Sequence, residues 1–301
     1  MNCPKCGYAQ DDAATACEAC GLIFARYEER REDEAALATG AVAPPGKVAV
    51  EEPPAGRLDR AGRRALLIGA PIGVVCFALP FLDFVLGYLS ILVHELGHAI
   101  AGWLMGFPSV PAFDFVYGGG VTILDERNAG VLIVLGALWA WAFWRLRRNA
   151  LGLVCCGVLL AAHALLAFTP AHETLHMAAG HLSELVFAAI FLYRALSGAG
   201  CFVAAERPLY AGAATFVLLK AAGFAGRLMS DAEFRALYEE AKGGGKWMDL
   251  SRIADQFGLS LRTVAGWLLL LALLTPALTW FVFAARAPLR RFLARALEPN
   301  P

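Results

Sequence analysis

The sequence predicts an all-α polytopic membrane protein of about six to seven transmembrane helices, with a small four-cysteine unit at its N-terminus. Three observations lead there. Hydrophobic residues make up 58% of the 301-residue chain and charged residues only 17%, with a mean hydropathy of +0.57, which is more apolar than soluble domains usually are. The apolar residues gather into runs long enough to span hydrocarbon. Four cysteines fall within the first twenty residues as two Cys-x-x-Cys pairs. Lys plus Arg balances Asp plus Glu at 26 each, so net charge points to no nucleic-acid partner, and only local clusters of basic residues are informative.

Taken in order, Met1 to Arg26 is the Cys-rich unit. Cys3-Pro4-Lys5-Cys6-Gly7 and Cys17-Glu18-Ala19-Cys20-Gly21 are two knuckles, each closed by a Gly that lets the backbone turn under the sulfurs. Four thiolates at this spacing suit a closed tetrahedral zinc site, and a reducing cytosol argues against disulfides. Residues 1–26 therefore read as a zinc ribbon holding one structural Zn2+ through Cys3, Cys6, Cys17 and Cys20. The stretch resembles short zinc ribbons at the start of many bacterial proteins, which implies a bacterial inner-membrane setting. No basic n-region and apolar h-region open the chain, so the ribbon is expected in the cytosol. Residues 27–64 read as a charged helix followed by a Pro/Ala-rich linker.

Residues 65–225 form the expected membrane core. Candidate spans lie at roughly 65–82, 84–106, 129–144, 150–168, 180–197 and 208–225, with a last one at 264–285. Between them, 226–263 reads as an amphipathic soluble segment along the membrane surface, and 264–301 as the last span and a basic tail. Arg57, Arg60, Arg63 and Arg64 precede the first span, Arg145, Arg147 and Arg148 follow the third, and Arg286, Arg290, Arg291 and Arg295 follow the last. All three clusters favour the cytosol. Seven full crossings cannot satisfy them together, so one segment before Arg145 must fail to cross, or Phe107 to Leu124 must make a further excursion. Pro108, Pro111 and Gly118 to Gly120 suit a re-entrant loop there.

The chemistry is concentrated in two His-Glu-x-x-His stretches, His94-Glu95-Leu96-Gly97-His98 and His172-Glu173-Thr174-Leu175-His176. Positions i and i+4 share a helix face, so His94 and His98 can offer two imidazoles to one ion, with Glu95 beside the open position. Three ionisable side chains within five residues of an apolar helix are costly unless they form a site. His163, alone on an apolar helix, reads as a hydrogen-bonded core histidine.

Val93 to Ala101 resembles the catalytic helix of the site-2 protease family of zinc-dependent intramembrane peptidases. The likeness runs on through Gly102 to Phe107 into the Gly-rich loop at 118–120, where such proteases often carry a membrane-embedded hairpin. It implies that His94 and His98 are zinc ligands and Glu95 the general base. A membrane protein or peptide would be the substrate and the lipid bilayer the setting, with no nucleic acid. Family members normally add an Asp ligand from a Leu-Asp-Gly-type motif on a later span, but this chain contains no Asp-Gly dipeptide. The expected third ligand therefore comes from 172–184, where His172, His176 and Glu184 are the candidates.

Other function classes share parts of this pattern. A di-metal membrane oxidoreductase also uses His-x-x-x-His boxes, though usually with more histidines than the six present. A non-proteolytic metal transporter or ribbon-bearing adaptor would account for the second motif. Leu250 to Val264 resembles a helix-turn-helix, but its second helix runs directly into the last span, which leaves no helix free to enter a DNA groove.

Overall fold

The computed structural model describes residues 1–4, 6–11, 14–20, 22, 24, 27, 58–113, 119–203, 205–244 and 248–297. Of the charged helix and linker expected at 27–64, residues 28–57 lie outside the described ones, and Arg60 to Arg64 belong to the first helix of the second unit. The chain divides into two units, Met1–Val50 and Glu51–Pro301.

In the first unit the two knuckles close on themselves. Gly7 N–H donates to the Cys3 carbonyl (2.9 Å), Cys3 N–H donates to Tyr8 (2.9 Å) and Cys17 N–H donates to Leu22 (2.8 Å). Gly7 adopts φ +75°, a conformation nearly reserved for glycine, and it brings Cys6 back toward Cys3. Cys3, Cys17 and Phe24 form its small core.

The second unit is helical apart from one hairpin. Its elements are α1 (Arg60–Ala78), α2 (Pro80–Leu104), β1 (Ser109–Phe113), β2 (Gly120–Leu124), α3 (Ala129–Leu146) and α4 (Ala150–Phe168). They are followed by α5 (Ala171–Ser197), α6 (Glu206–Ser230), α7 (Ala232–Gly244), α8 (Asp249–Phe257), α9 (Leu261–Ala284) and α10 (Arg286–Leu297). Among the described residues seven helices are long and apolar enough to cross a membrane: α1 to α6 and α9. Their outer faces fit that setting. Val154, Val158, Leu159 and Leu165 of α4 are 61–64% exposed, which would be unfavourable in water but suits lipid. Pro71 inside α1 and Pro276 inside α9 are of the kind that transmembrane helices tolerate.

Polar side chains fix where the helices begin. Asp59 accepts from Gly62 N–H (2.6 Å), Asn128 from Gly130 (2.8 Å), Asn149 from Gly152 (2.9 Å) and Ser260 from Thr263 (3.1 Å). Each satisfies a donor that the first helical turn leaves without a partner.

Small residues fix how the helices pack. A Cβ on Gly69 would stand 2.2 Å from the Pro208 carbonyl, and one on Gly73 2.4 Å from that of Gly212. α1 and α6 therefore touch backbone to backbone and run parallel, the close packing that substitutes for a hydrophobic driving force within lipid. α2 and α5 run antiparallel, with Ser183 Oγ donating to the Val93 carbonyl (2.7 Å) and Gly97 against Ala179. Only Leu79 separates α1 from α2. One residue is too few for the loop of an antiparallel helix pair, so the chain bends there rather than doubling back.

Two expectations change. The excursion at Phe107 to Leu124 is a two-stranded antiparallel hairpin, pairing Ser109 with Leu124 and Phe113 with Gly120, and its tip at 114–118 lies outside the described residues. The segment 226–263 does not lie apart on a surface. α6 and α9 extend into it from either side, and Tyr238, Leu250 and Ala254 are buried in the main core with Leu185, Leu228 and Val264. The apolar positions Leu250, Ile253 and Ala254 recur at helical spacing, which gives α8 one face to pack against the bundle, while Phe257 is left exposed. The helix-turn-helix outline is present, since Gly258 ends α8 at φ 63°, but the second helix, α9, runs on to Ala284.

Candidate metal centre

His94 and His98 stand one turn apart near the middle of α2, and their Nε2 atoms are 3.1 Å apart. Asp249, the first residue of α8, closes the set: its Oδ2 is 3.1 Å from His94 Nε2 and 3.0 Å from His98 Nε2. Three potential donors thus face one point. His98 Nδ1 donates to the His176 carbonyl at 2.7 Å. A carbonyl can only accept, so in the neutral ring the proton sits on Nδ1 and Nε2 presents its lone pair to His94 and Asp249. Burial alone would raise the Asp249 carboxyl, but when the His94 and His98 rings are protonated their N–H groups donate to it and hold it below the usual carboxylate range.

Gly180 supplies an independent test of whether an ion fits. A Cβ at that position would lie 2.4 Å from His94 Nε2 and 2.5 Å from His98 Nε2. The space in front of both nitrogens is therefore open only because α5 carries a glycine there. Two imidazoles and one carboxylate form a donor set that suits a divalent metal ion.

Glu95 is 7% exposed and lines the same cleft as the three donors. The Thr122 hydroxyl of β2 donates to Glu95 Oε2 at 2.7 Å, with the Glu95 carbonyl at 3.0 Å. Gly120 permits this approach, since a Cβ there would meet Glu95 Oε1 at 2.3 Å. The hairpin therefore lies directly against the acidic residue. The cleft has a volume of about 1570 Å³ and is also lined by Arg252, Asp83 and Lys220, the last two pairing at 3.0 Å.

The residues expected from 172–184 separate into different places. His172 Nδ1 donates to the Thr169 carbonyl (2.7 Å) and its ring stacks on Phe107 at 5.4 Å. His176 gives its carbonyl to His98, while its own Nδ1 is buried and has no hydrogen-bond partner among the described residues. Neither joins the pair on α2, because the face of α5 that meets those imidazoles is the one bearing Gly180. Glu184 lies on the other side of His94, with Oε2 3.7 Å from Nδ1 of His94 and 3.1 Å from Nδ1 of His181, so His94, His181 and Glu184 form a second cluster. His163 has both ring nitrogens engaged, accepting from Trp139 (2.9 Å) and donating to the Leu104 carbonyl (2.6 Å).

Sequence reasoning did not reach Asp249. It stands 151 residues from His98 in no recognisable motif. The available signal was the amphipathic period of α8, which marks that helix as packed against the bundle and brings its leading carboxylate with it.

In the N-terminal unit the four sulfurs lie within 4.8 Å of one another, with Cys3 and Cys20 3.7 Å apart and Cys6 and Cys17 3.6 Å apart. Zn–S bonds of about 2.3 Å in a tetrahedron would separate sulfurs by about 3.8 Å. No protein-family model, curated protein or solved structure matches the chain.

Proposed function

We propose that the membrane unit is a zinc-dependent intramembrane endopeptidase of the site-2 type, acting on membrane-embedded protein or peptide substrates, and that the four N-terminal cysteines hold a structural Zn2+. The observation that carries this reading is the convergence of His94, His98 and Asp249 to 3.0–3.1 Å in a cleft shared with Glu95. The third donor is an Asp, the residue type the family resemblance implies, although it comes from a short helix outside the candidate spans. A divalent ion held there would activate water and polarise a peptide carbonyl. Glu95, oriented by Thr122, takes the proton from the attacking water and returns it to the leaving amine. The apolar bundle limits bulk water around the site, which strengthens these electrostatic interactions.

Glu95→Gln is the direct test. It should retain the ion and lower turnover of a membrane-embedded peptide by roughly 10²–10⁴-fold, the usual contribution of a general base. Cleavage by that variant at the wild-type rate would falsify the assignment.

The bend at Leu79 also supports an orientation. If α1 and α2 make one transit together, with α2 inclined across α6, the chain crosses six times and all three arginine clusters share the cytosolic face. Contacts between helix ends agree with that path. Arg207 at the start of α6 pairs with Asp59 before α1 (2.9 Å) and donates to the carbonyls of Ala195 and Leu196 at the end of α5. Asn149 before α4 donates to the Arg295 carbonyl in α10 (2.6 Å). A phosphatase reporter that is active only outside the cytosol should be silent when fused after Arg148 and active when fused after Asp125. Activity after Arg148 would rule the path out.

A further inference from the structure

We infer that Glu184 is a positioning residue for the metal centre, holding the His94 ring through the nitrogen that faces away from the ion. The inference rests on the metal site proposed above. An imidazole presents its two nitrogens in diverging directions. His94 turns Nε2 to His98 and Asp249 and Nδ1 to Glu184 Oε2, 3.7 Å away. An oxygen on the Nδ1 side cannot also ligate an ion on the Nε2 side, so Glu184 acts on His94 and not on the ion.

The carboxylate is itself fixed. Ser90 Oγ donates to Oε1 at 2.8 Å, and His181 Nδ1 stands 3.1 Å from Oε2. Ser90 lies one turn before His94 on α2, so Glu184 straps a single turn of that helix from its neighbour α5. His98 is held more closely, its Nδ1 donating to the His176 carbonyl at 2.7 Å. Both ligand rings thus have their second nitrogen opposite an acceptor on α5, the outer-shell arrangement that sets tautomer and ring angle at metal sites. Charge points the same way. The Glu184 side chain is only 12% exposed, and its ion-pair partners among the described residues are histidines rather than Lys or Arg. A buried carboxylate needs a compensating positive charge nearby, and a divalent ion between His94, His98 and Asp249 would contribute one.

The second His-Glu-x-x-His helix thereby acquires a role in this reading: α5 supports the donors of α2 and makes room for the ion, without binding a metal of its own.

The test is metal binding to the full-length protein in detergent, by chelator competition with Zn2+ and by Co2+ substitution. Thiolate-to-cobalt absorption reports the ribbon separately. Glu184→Gln should weaken the membrane-site ion by about 10–100-fold, the range for outer-shell partners, and shift the Co2+ ligand-field bands, while the ribbon signal and thermal unfolding stay unchanged. Ser90→Ala, which keeps the carboxylate and removes one anchor, should move affinity in the same direction by less. Unaltered affinity and spectrum in both variants would overturn the positioning role, as would a second membrane-site ion that disappears with Glu184. Wild-type protein that binds no ion beyond the ribbon's would instead defeat the metal-centre reading itself.

Discussion

The helices α2 and α5 carry the same five-residue pattern and put it to different uses. On α2 the two imidazoles point together, 3.1 Å apart, and meet a carboxylate from across the cleft. On α5 the two rings part company, one bonded to its own helix start and stacked on Phe107, the other lying 5.2 Å from the His98 ring, with the backbone carbonyl of the same residue accepting from His98. The i, i+4 spacing is common to both, so spacing alone does not make a site. What differs is the partner brought opposite each pair by the rest of the fold.

The contrast can be broken most severely at Asp249. Asp249→Ala should cost the membrane-site ion more than the roughly 100-fold that bounds an outer-shell loss and abolish peptide cleavage, both read by elemental analysis and turnover of the full-length protein. An Asp249→Ala protein that keeps its ion would show that α5, after all, supplies the third donor. Next in size is Gly180→Ala. The new methyl would stand 2.4 Å from His94 Nε2, and the crowding should cost about 1–3 kcal/mol, seen as roughly 10–100-fold weaker Zn2+ binding with little change in the ribbon. At the small end, His172→Ala should leave affinity within about twofold. A larger loss there would mean that the two motifs are more alike in function than their geometry allows.

Much of this was legible in the sequence, for identifiable reasons. The candidate spans, including the starts of α3 and α4, follow from apolar run length alone. His94, Glu95 and His98 were visible because a local period places them on one face. What stayed hidden was long-range. Ser90 meets Glu184 across 94 positions, and Asp249 reaches the histidines across still more, and no periodicity connects such pairs. The hairpin was suggested only by the family resemblance, because its glycines and prolines suit an irregular loop as well as they suit a tight approach to Glu95.

The distance along the chain between His98 and Asp249 also bears on biogenesis. In the proposed site, a ribosome would have to add 151 residues after His98 before the last donor was made. Two imidazoles on a newly inserted helix would bind an ion only weakly until α8 docked. Acquisition of the metal would then mark completion of the bundle, and a truncated or stalled chain would be left without hydrolytic power inside the bilayer.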